Sequence, residues 1–278
     1  MMMKNIGIKL AAVALVLCAA LPAYAGKDGS ALKIKQAIAS TSVDAILAEV
    51  ERAEALACDE CIQLVTNLTE DARYEVRAVA AWWFAKRPAL KKMLAEQFDA
   101  ELLTGGTVKV RNAADFLSRT MTYTALPNLR AAIKRDVGAE AKLAIVRAVH
   151  YLGHKGGNEA LTVAMTDRDP TVRAEAARAW RDIYDQVDAG PVLALLGDAD
   201  ASVRAEAATV VGGMKTLAGR GALEALVVSD GSPIARRNAA WALGKLGQAA
   251  SRDALTKASG DESGLVRMTA RAALGQLR

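Results

Sequence analysis

Residues that could carry chemistry are few, and the sharpest group is Cys58-Asp59-Glu60-Cys61. Two cysteines at this spacing can close a tight disulfide, and a thiol at a helix N-terminus has a lowered pKa, so thiol–disulfide exchange is one chemistry open to the pair. Asp59 and Glu60 work against a thiolate, however. Redox motifs of this kind also usually follow a strand in a βαβ pattern, and the chain has no such pattern. Ile62 stands where haem attachment needs a histidine, and a metal site would need two further ligands. The residues favour a structural staple, with redox exchange second and a metal site or free thiols third. His150 and His154 are four apart, a spacing that can hold zinc on one helical face. Gly153 ends the helix before His154, and no acid follows in the metalloprotease arrangement. With only two histidines in the chain, imidazole acid–base catalysis has little to work with. Neither a nucleophile elbow, a phosphate-cradling loop nor a dinucleotide fingerprint is present. The expectation is a protein that is not an enzyme and needs no cofactor.

Two further groups could form contact surfaces. Trp82-Trp83-Phe84 is the densest aromatic cluster. Consecutive helical residues point in different directions, so core packing is favoured for most of the cluster, while Trp83 is a candidate for a partner-facing tryptophan. Trp180 and Trp241 fall at helix-end positions and read as core. The run KRPALKK at 86–92, with Arg130, Lys134 and Arg135 further on, raises a second possibility. Lys91, Lys92, Arg130 and Lys134 could make a positive strip. Glu96, Asp99 and Glu101 lie nearby, and a solvated face of mixed charge is the favoured reading.

The elements that must position these residues are set by internal repetition. DRDPTVRAEAARAW (167–180), DADASVRAEAATVVG (198–212), DGSPIARRNAAWALG (230–244) and DESGLVRMTARAALG (261–275) share an acid, an apolar residue followed by Arg, and an alanine-rich apolar end. Residues 71–84 fit well, 106–117 loosely, and 139–153 only at their end. Taking the arginine as the marker gives Arg77, Arg111, Ile145, Arg173, Arg204, Arg236 and Arg267, at steps of 34, 34, 28, 31, 32 and 31. A period this regular marks a stacked array. In the unit at 169, Asp169 is placed to cap a helix and Pro170 suits its first turn. Val172, Ala176, Ala179 and Ile183 then share a face. Gly190-Pro191 breaks the chain, and Val192, Leu193, Leu195 and Leu196 make a second, shorter helix. Neither helix can bury its stripe alone, and paired alanines let neighbours approach closely. Hydrophobic residues at 52% with aromatics at only 4% fit an all-α core of Ala, Leu and Val.

These runs, IARRNAAWALGKLG (234–247) above all, resemble the short HEAT repeats first described in phycobilisome lyases. The resemblance covers residues 43–278 and implies an all-α solenoid of about seven antiparallel helix pairs. It implies that acids and arginines pair across neighbouring units, which makes Asp169, Asp200, Arg173 and Arg204 structural. It also implies that second helices line a concave face, where the basic strip would lie. The repeated His-Glu pairs of iron-binding HEAT-type hydroxylases are missing. Residues 43–56 and 60–68 read as an atypical first helix pair that caps the array.

Residues 1–25 read as an export signal: Lys4 and Lys9, an apolar run from Leu10 to Leu21, and Ala23-Tyr24-Ala25 for cleavage. The run is shorter than the roughly 20 residues a membrane span needs. An uncleaved anchor, or lipidation at Cys18, is a lesser alternative. Residues 26–42 are expected to be a short tail and helix start, with Gly26 to Ser30 disordered. Without the signal the chain has 34 basic and 31 acidic residues, a net +3. Export argues against nucleic acid as a partner and puts the cysteines in an oxidising compartment. The mature chain carries no other membrane-spanning candidate. The reading is a periplasmic or extracellular scaffold that binds another protein without catalysis. A thiol or enzyme-accessory role for Cys58 and Cys61, or anion binding by the basic strip, are the alternatives.

Overall fold

In three successive repeats the first helix begins where a side chain, Asp169, Asp200 or Ser232, accepts backbone N–H groups of the first turn. A computed structural model describes residues 29–187 and 189–278. The expected export signal, Cys18 included, lies outside the described residues. Those residues form two compact units, 29–94 and 95–278.

The first unit contains α1 (Ala31–Ser40), α2 (Val43–Arg52), α3 (Asp59–Leu68), α4 (Tyr74–Ala85) and the start of α5 (Pro88–Thr104). Ser30 caps α1, which buries Ile34 and Ala37, and Ser42 caps α2. Gly29 is packed so that a Cβ there would lie 2.9 Å from the Arg52 carbonyl oxygen. The structure therefore extends further toward the N-terminus than the expected tail through Ser30.

The second unit repeats one pattern: a long first helix, a turn of 3-10 helix, a short second helix and an acid-bearing loop. It comprises α6 (Thr107–Arg119) with α7 (Leu126–Ala132), then α8 (Gly138–Leu152) with α9 (Asn158–Ala164). Next come α10 (Pro170–Arg181) with a 3-10 segment at Gly190–Gly197, α11 (Ala201–Gly213) with α12 (Arg220–Ser229), and α13 (Pro233–Leu246) with α14 (Arg252–Ala258). The last element is α15 (Gly264–Leu274). The expected second helix at 192–196 is thus 3-10, not α, within a segment bounded by glycines at 190 and 197. No strand is present among the described residues, and the fold class is an all-α solenoid.

Small residues set the stacking of first helices. A Cβ on Gly212 would come within 2.5 Å of the Ala242 Cα, so α11 and α13 meet backbone to backbone and a side chain at 212 would push them apart. The alanine pairs read from the sequence, Ala176-Ala177, Ala207-Ala208 and Ala239-Ala240, are all buried.

Candidate functional site

In the second unit the arginines are built into a ladder. Arg173 donates from Nε and Nη2 to both oxygens of Asp198 at 2.7 Å each, and from Nη1 to the Asp167 carbonyl at 2.8 Å. Arg204 repeats this on Asp230 at 2.6 and 2.9 Å and on the Asp198 carbonyl at 2.7 Å. Arg236 repeats it again on Asp261 at 2.7 and 3.0 Å and on the Asp230 carbonyl at 2.7 Å. The same aspartates accept backbone N–H groups of Asp200, Ser232 and Ser263 at 2.7–2.8 Å, which shapes the loop before each helix. Hydrogen bonds from the partner arginine hold the carboxyls of Asp198, Asp230 and Asp261 below the usual range.

Two expectations are corrected here. The acids that pair across repeats are Asp198, Asp230 and Asp261; Asp169 and Asp200 instead accept N–H groups of their own helices, Thr171 and Ser202, at 2.8 Å. An N-cap carboxylate facing its own helix is turned away from the neighbouring repeat. The arginine position of the fourth unit is Lys142, not Ile145: Lys142 Nζ lies 2.5 Å from Asp167 Oδ2, at the same separation of 25 residues as Arg173 from Asp198. Ile145 is fully buried. With Lys142 in place the markers from Arg111 to Arg267 step by 31, 31, 31, 32 and 31, a regularity that could have located it in the sequence.

In the first unit Cys58 and Cys61 are bonded, with Cα atoms 5.0 Å apart. Cys58 is the N-cap of α3, and its Sγ accepts the Cys61 N–H at 3.1 Å. Cys61 is fully buried. The loop leading to the pair is clamped. Arg87 donates to the carbonyls of Trp83 at 2.6 Å, Glu54 at 2.7 Å and Leu56 at 2.9 Å, and its guanidinium lies 3.2 Å from the Trp83 ring centroid. Burial pulls the Arg87 guanidinium down to about 10. Trp83 Nε1 donates to the Ala53 carbonyl at 2.9 Å.

Trp83 is therefore not a partner-facing residue: it is 0% exposed, and its polar edge is satisfied inside the unit. Trp82 is the half-buried member of the cluster, with Lys86 Nζ 5.3 Å from its ring. Trp180 is buried, while Trp241 is only half-buried, with Lys245 Nζ 5.5 Å from its ring.

Of the basic residues, Lys91 is half-buried and Lys92 exposed. In the second unit, Arg130 and Lys134 both pair with Glu159, at 3.0 and 2.7 Å. Their bonds, Lys134's first, draw the Glu159 carboxyl below its usual range. These two cations share a carboxylate and do not present an open anion site. The histidines diverge: His150 Nε2 lies 3.1 Å from Asp182, whereas His154 Nδ1 accepts the Gly156 N–H at 3.0 Å. No cluster of three or more metal-ligating side chains occurs among the described residues. None of the described helices is long and apolar enough to cross a membrane.

A feature the sequence reading missed is an exposed edge of the second unit where first helices end. Tyr123, Tyr151 and Tyr184 are 46%, 47% and 81% exposed there, beside exposed Val187 and Leu217. Tyrosine at the end of an amphipathic helix carries no periodic signal that separates it from a core position, so only packing could reveal it.

The comparisons with known proteins agree with this architecture. Residues 189–275 match the HEAT repeat family. Across 86% of this chain and 90% of the other, the structure is similar to that of YibA from Escherichia coli, with TM-score 0.55 and 15% identity. It is similar also to Kap95p, in a structure where Kap95p binding switches the loops of RanGDP, with TM-score 0.57 and 15% identity; that match covers 88% of this chain and 41% of Kap95p. No curated protein matches the sequence. The chain is a HEAT-like repeat protein, and this scaffold fold is compatible with protein binding.

Proposed function

We propose that the chain is a non-catalytic scaffold of the cell envelope or periplasm that binds another exported protein. The observation that carries this reading is the exposed apolar edge of the second unit: Tyr184 and Val187, 81% exposed each, with Tyr123, Tyr151 and Leu217. Large apolar side chains grouped at a surface are what a protein partner covers, and tyrosine is enriched among residues that dominate such contacts. Kap95p, part of whose fold this chain resembles, binds the protein RanGDP. Residues 1–25 supply the export half of the reading, and a disulfide at Cys58 and Cys61 suits an oxidising compartment.

The test is cross-linking in intact cells at native expression, followed by fractionation and mass spectrometry. The expected result is a chain beginning at Gly26 in the envelope or periplasmic fraction, cross-linked to a different exported protein through the second unit. A chain that retains residues 1–25 in the cytosol, or no cross-link to any other protein, would overturn the proposal.

A further inference from the structure

The first helices in the second unit carry charges at their two ends that differ in how they are matched, the acids at the N-terminal ends being paired with ladder cations. Their N-terminal ends lie at the acid-bearing loops, where Asp167, Asp198, Asp230 and Asp261 are held by the ladder and Asp169 and Asp200 cap helices. Their C-terminal ends, and the turns that follow, carry Arg119, Lys155, Arg181, Lys215 and Lys245 against Asp182 and Asp185. Helix polarity favours this arrangement, with carboxylates at N-termini and cations at C-termini.

The cationic ends are contiguous from repeat to repeat. The Arg119 guanidinium lies 4.5 Å from the Tyr151 ring centroid. Next to Tyr151, His150 reaches Asp182, and Asp182 also holds Arg181 at 3.1 Å. A Cβ on Gly213 would meet Arg181 Cδ at 3.6 Å and the Trp241 ring at 4.0 Å, and Trp241 sits beneath Lys245. The turns touch as well: the Tyr123 and His154 rings are 6.1 Å apart, and Tyr184 N donates to the Gly153 carbonyl at 2.9 Å. Lys155 pairs with Asp185 at 2.7 Å, but Lys215 and Lys245 have no carboxylate within ion-pair distance among the described residues. All three tyrosines of this unit lie on the edge and are exposed.

We propose that this edge docks an acidic, extended segment of the partner protein, with a carboxylate at about every third residue and apolar side chains between. The proposal rests on the protein-binding reading above and adds to it the surface and the chemistry of the partner. The spacing follows from geometry. Packed helices lie about 8–10 Å apart, and an extended chain of the polyproline II type advances about 3.1 Å per residue with three residues per turn, so one repeat corresponds to about three residues and every third side chain faces the edge. A chain laid along the edge passes Tyr123, Tyr151 and Tyr184, where Lys155 and Arg181 already hold Asp185 and Asp182, and then reaches the unmatched cations Lys215, beside Leu217, and Lys245, over Trp241. Interleaving cations with apolar groups favours a peptide over a nucleic acid, whose phosphates call for closely set cations. This edge shares no residue with the strip of Lys91, Lys92, Arg130 and Lys134 considered from the sequence.

The test uses the full chain and fluorescence anisotropy with two labelled peptides of about fifteen residues. One repeats Asp-Leu-Ser; the other has the same composition with its aspartates in one block. The spaced peptide is expected to bind about tenfold tighter, to weaken with salt, and to lose about tenfold in affinity in the double variant Lys215→Glu, Lys245→Glu. Both positions are exposed, so reversing charge at two helix C-termini should lower the melting temperature by only a few degrees, with binding measured well below it. The double variant Lys91→Glu, Lys92→Glu should bind as the parent does. Equal affinity for both peptides, or binding unaffected by the first double variant, would overturn the proposal. So would tighter binding to duplex DNA or to phosphatidylglycerol vesicles that the same charge reversals abolish. Partner cross-links in cells that persist in the first double variant would defeat the edge and leave the scaffold reading standing. Loss of all partner cross-links from the unaltered chain would defeat the scaffold reading itself.

Discussion

In the first unit, the loop between α2 and α3 is fastened by a covalent bond at Cys58 and Cys61 and by Arg87 stacked on a buried Trp83. In the second, three acid-bearing loops are fastened by a bidentate pair that recurs 25 or 26 residues apart, Arg173 with Asp198, Arg204 with Asp230 and Arg236 with Asp261, and the loop at Asp167 by the single amine of Lys142. Repetition explains the difference. An interior repeat has a neighbour of the same kind, so one pair solves every junction. In the first unit, whose repeats are less regular, large side chains and a cross-link do that work.

The sharpest break in this comparison is Trp83→Ala. It removes a fully buried indole, together with its bond to Ala53 and its stack under Arg87, and should cost about 3–5 kcal/mol. Hydrogen exchange should show the loss of protection falling on α2, α3 and α4. The corresponding break in the second unit is Arg204→Met, which leaves Asp230, 3% exposed at its side chain, without its partner. The expected cost is about 2–3 kcal/mol in chemical denaturation, with the change in exchange falling on α11, α12 and the loop at Asp230.

Acid distinguishes the two devices. The carboxyls of Asp198, Asp230 and Asp261 titrate lower in the folded chain than their unfolded value of about 3.9, so below that value the unfolded chain binds more protons. Their contribution is complete above the unfolded value and is lost as pH falls through the lower folded values. The second unit should therefore loosen below about pH 4, while the disulfide and the Trp83–Arg87 stack do not titrate there. Asp71, lowered chiefly by its bond from Arg73, is one comparable group in the first unit.

Reduction of the disulfide, or Cys58→Ser with Cys61→Ser, should lower stability by about 2 kcal/mol, since the closed loop is short. The helical circular dichroism signal should persist, because the clamp by Arg87 remains. A full return of stability with the thiols free would argue instead for an exchangeable pair. The smallest expected effect is Asp169→Ala, which removes the N-cap of α10 and should cost about 1 kcal/mol, whereas loss of a ladder partner should cost more.

Much of this was legible in the residues. Apolar spacing, helix caps, alanine pairs and the period near 31 are local signals, and each depends on a few neighbouring positions. Although Asp200, expected to pair with an arginine, caps its helix instead, the cap at Asp169 and the close packing of the alanine pairs could be read for that reason. So could the placement of Cys58 and Cys61 at a turn, since a cysteine pair and a helix start lie within four residues.

The order of residues alone defines the repeated unit: a helix pair, its caps and the need to stack. Tertiary structure decided which groups meet once stacked. Lys142 replaces arginine only because its amine reaches Asp167 from the next turn of the array. Trp83 is core and Tyr184 is surface although both sit near the end of a first helix, because what covers a helix end belongs to a distant part of the chain. Distances along the chain of 25 to 33 residues separate these partners, and no periodicity within one helix carries information about them.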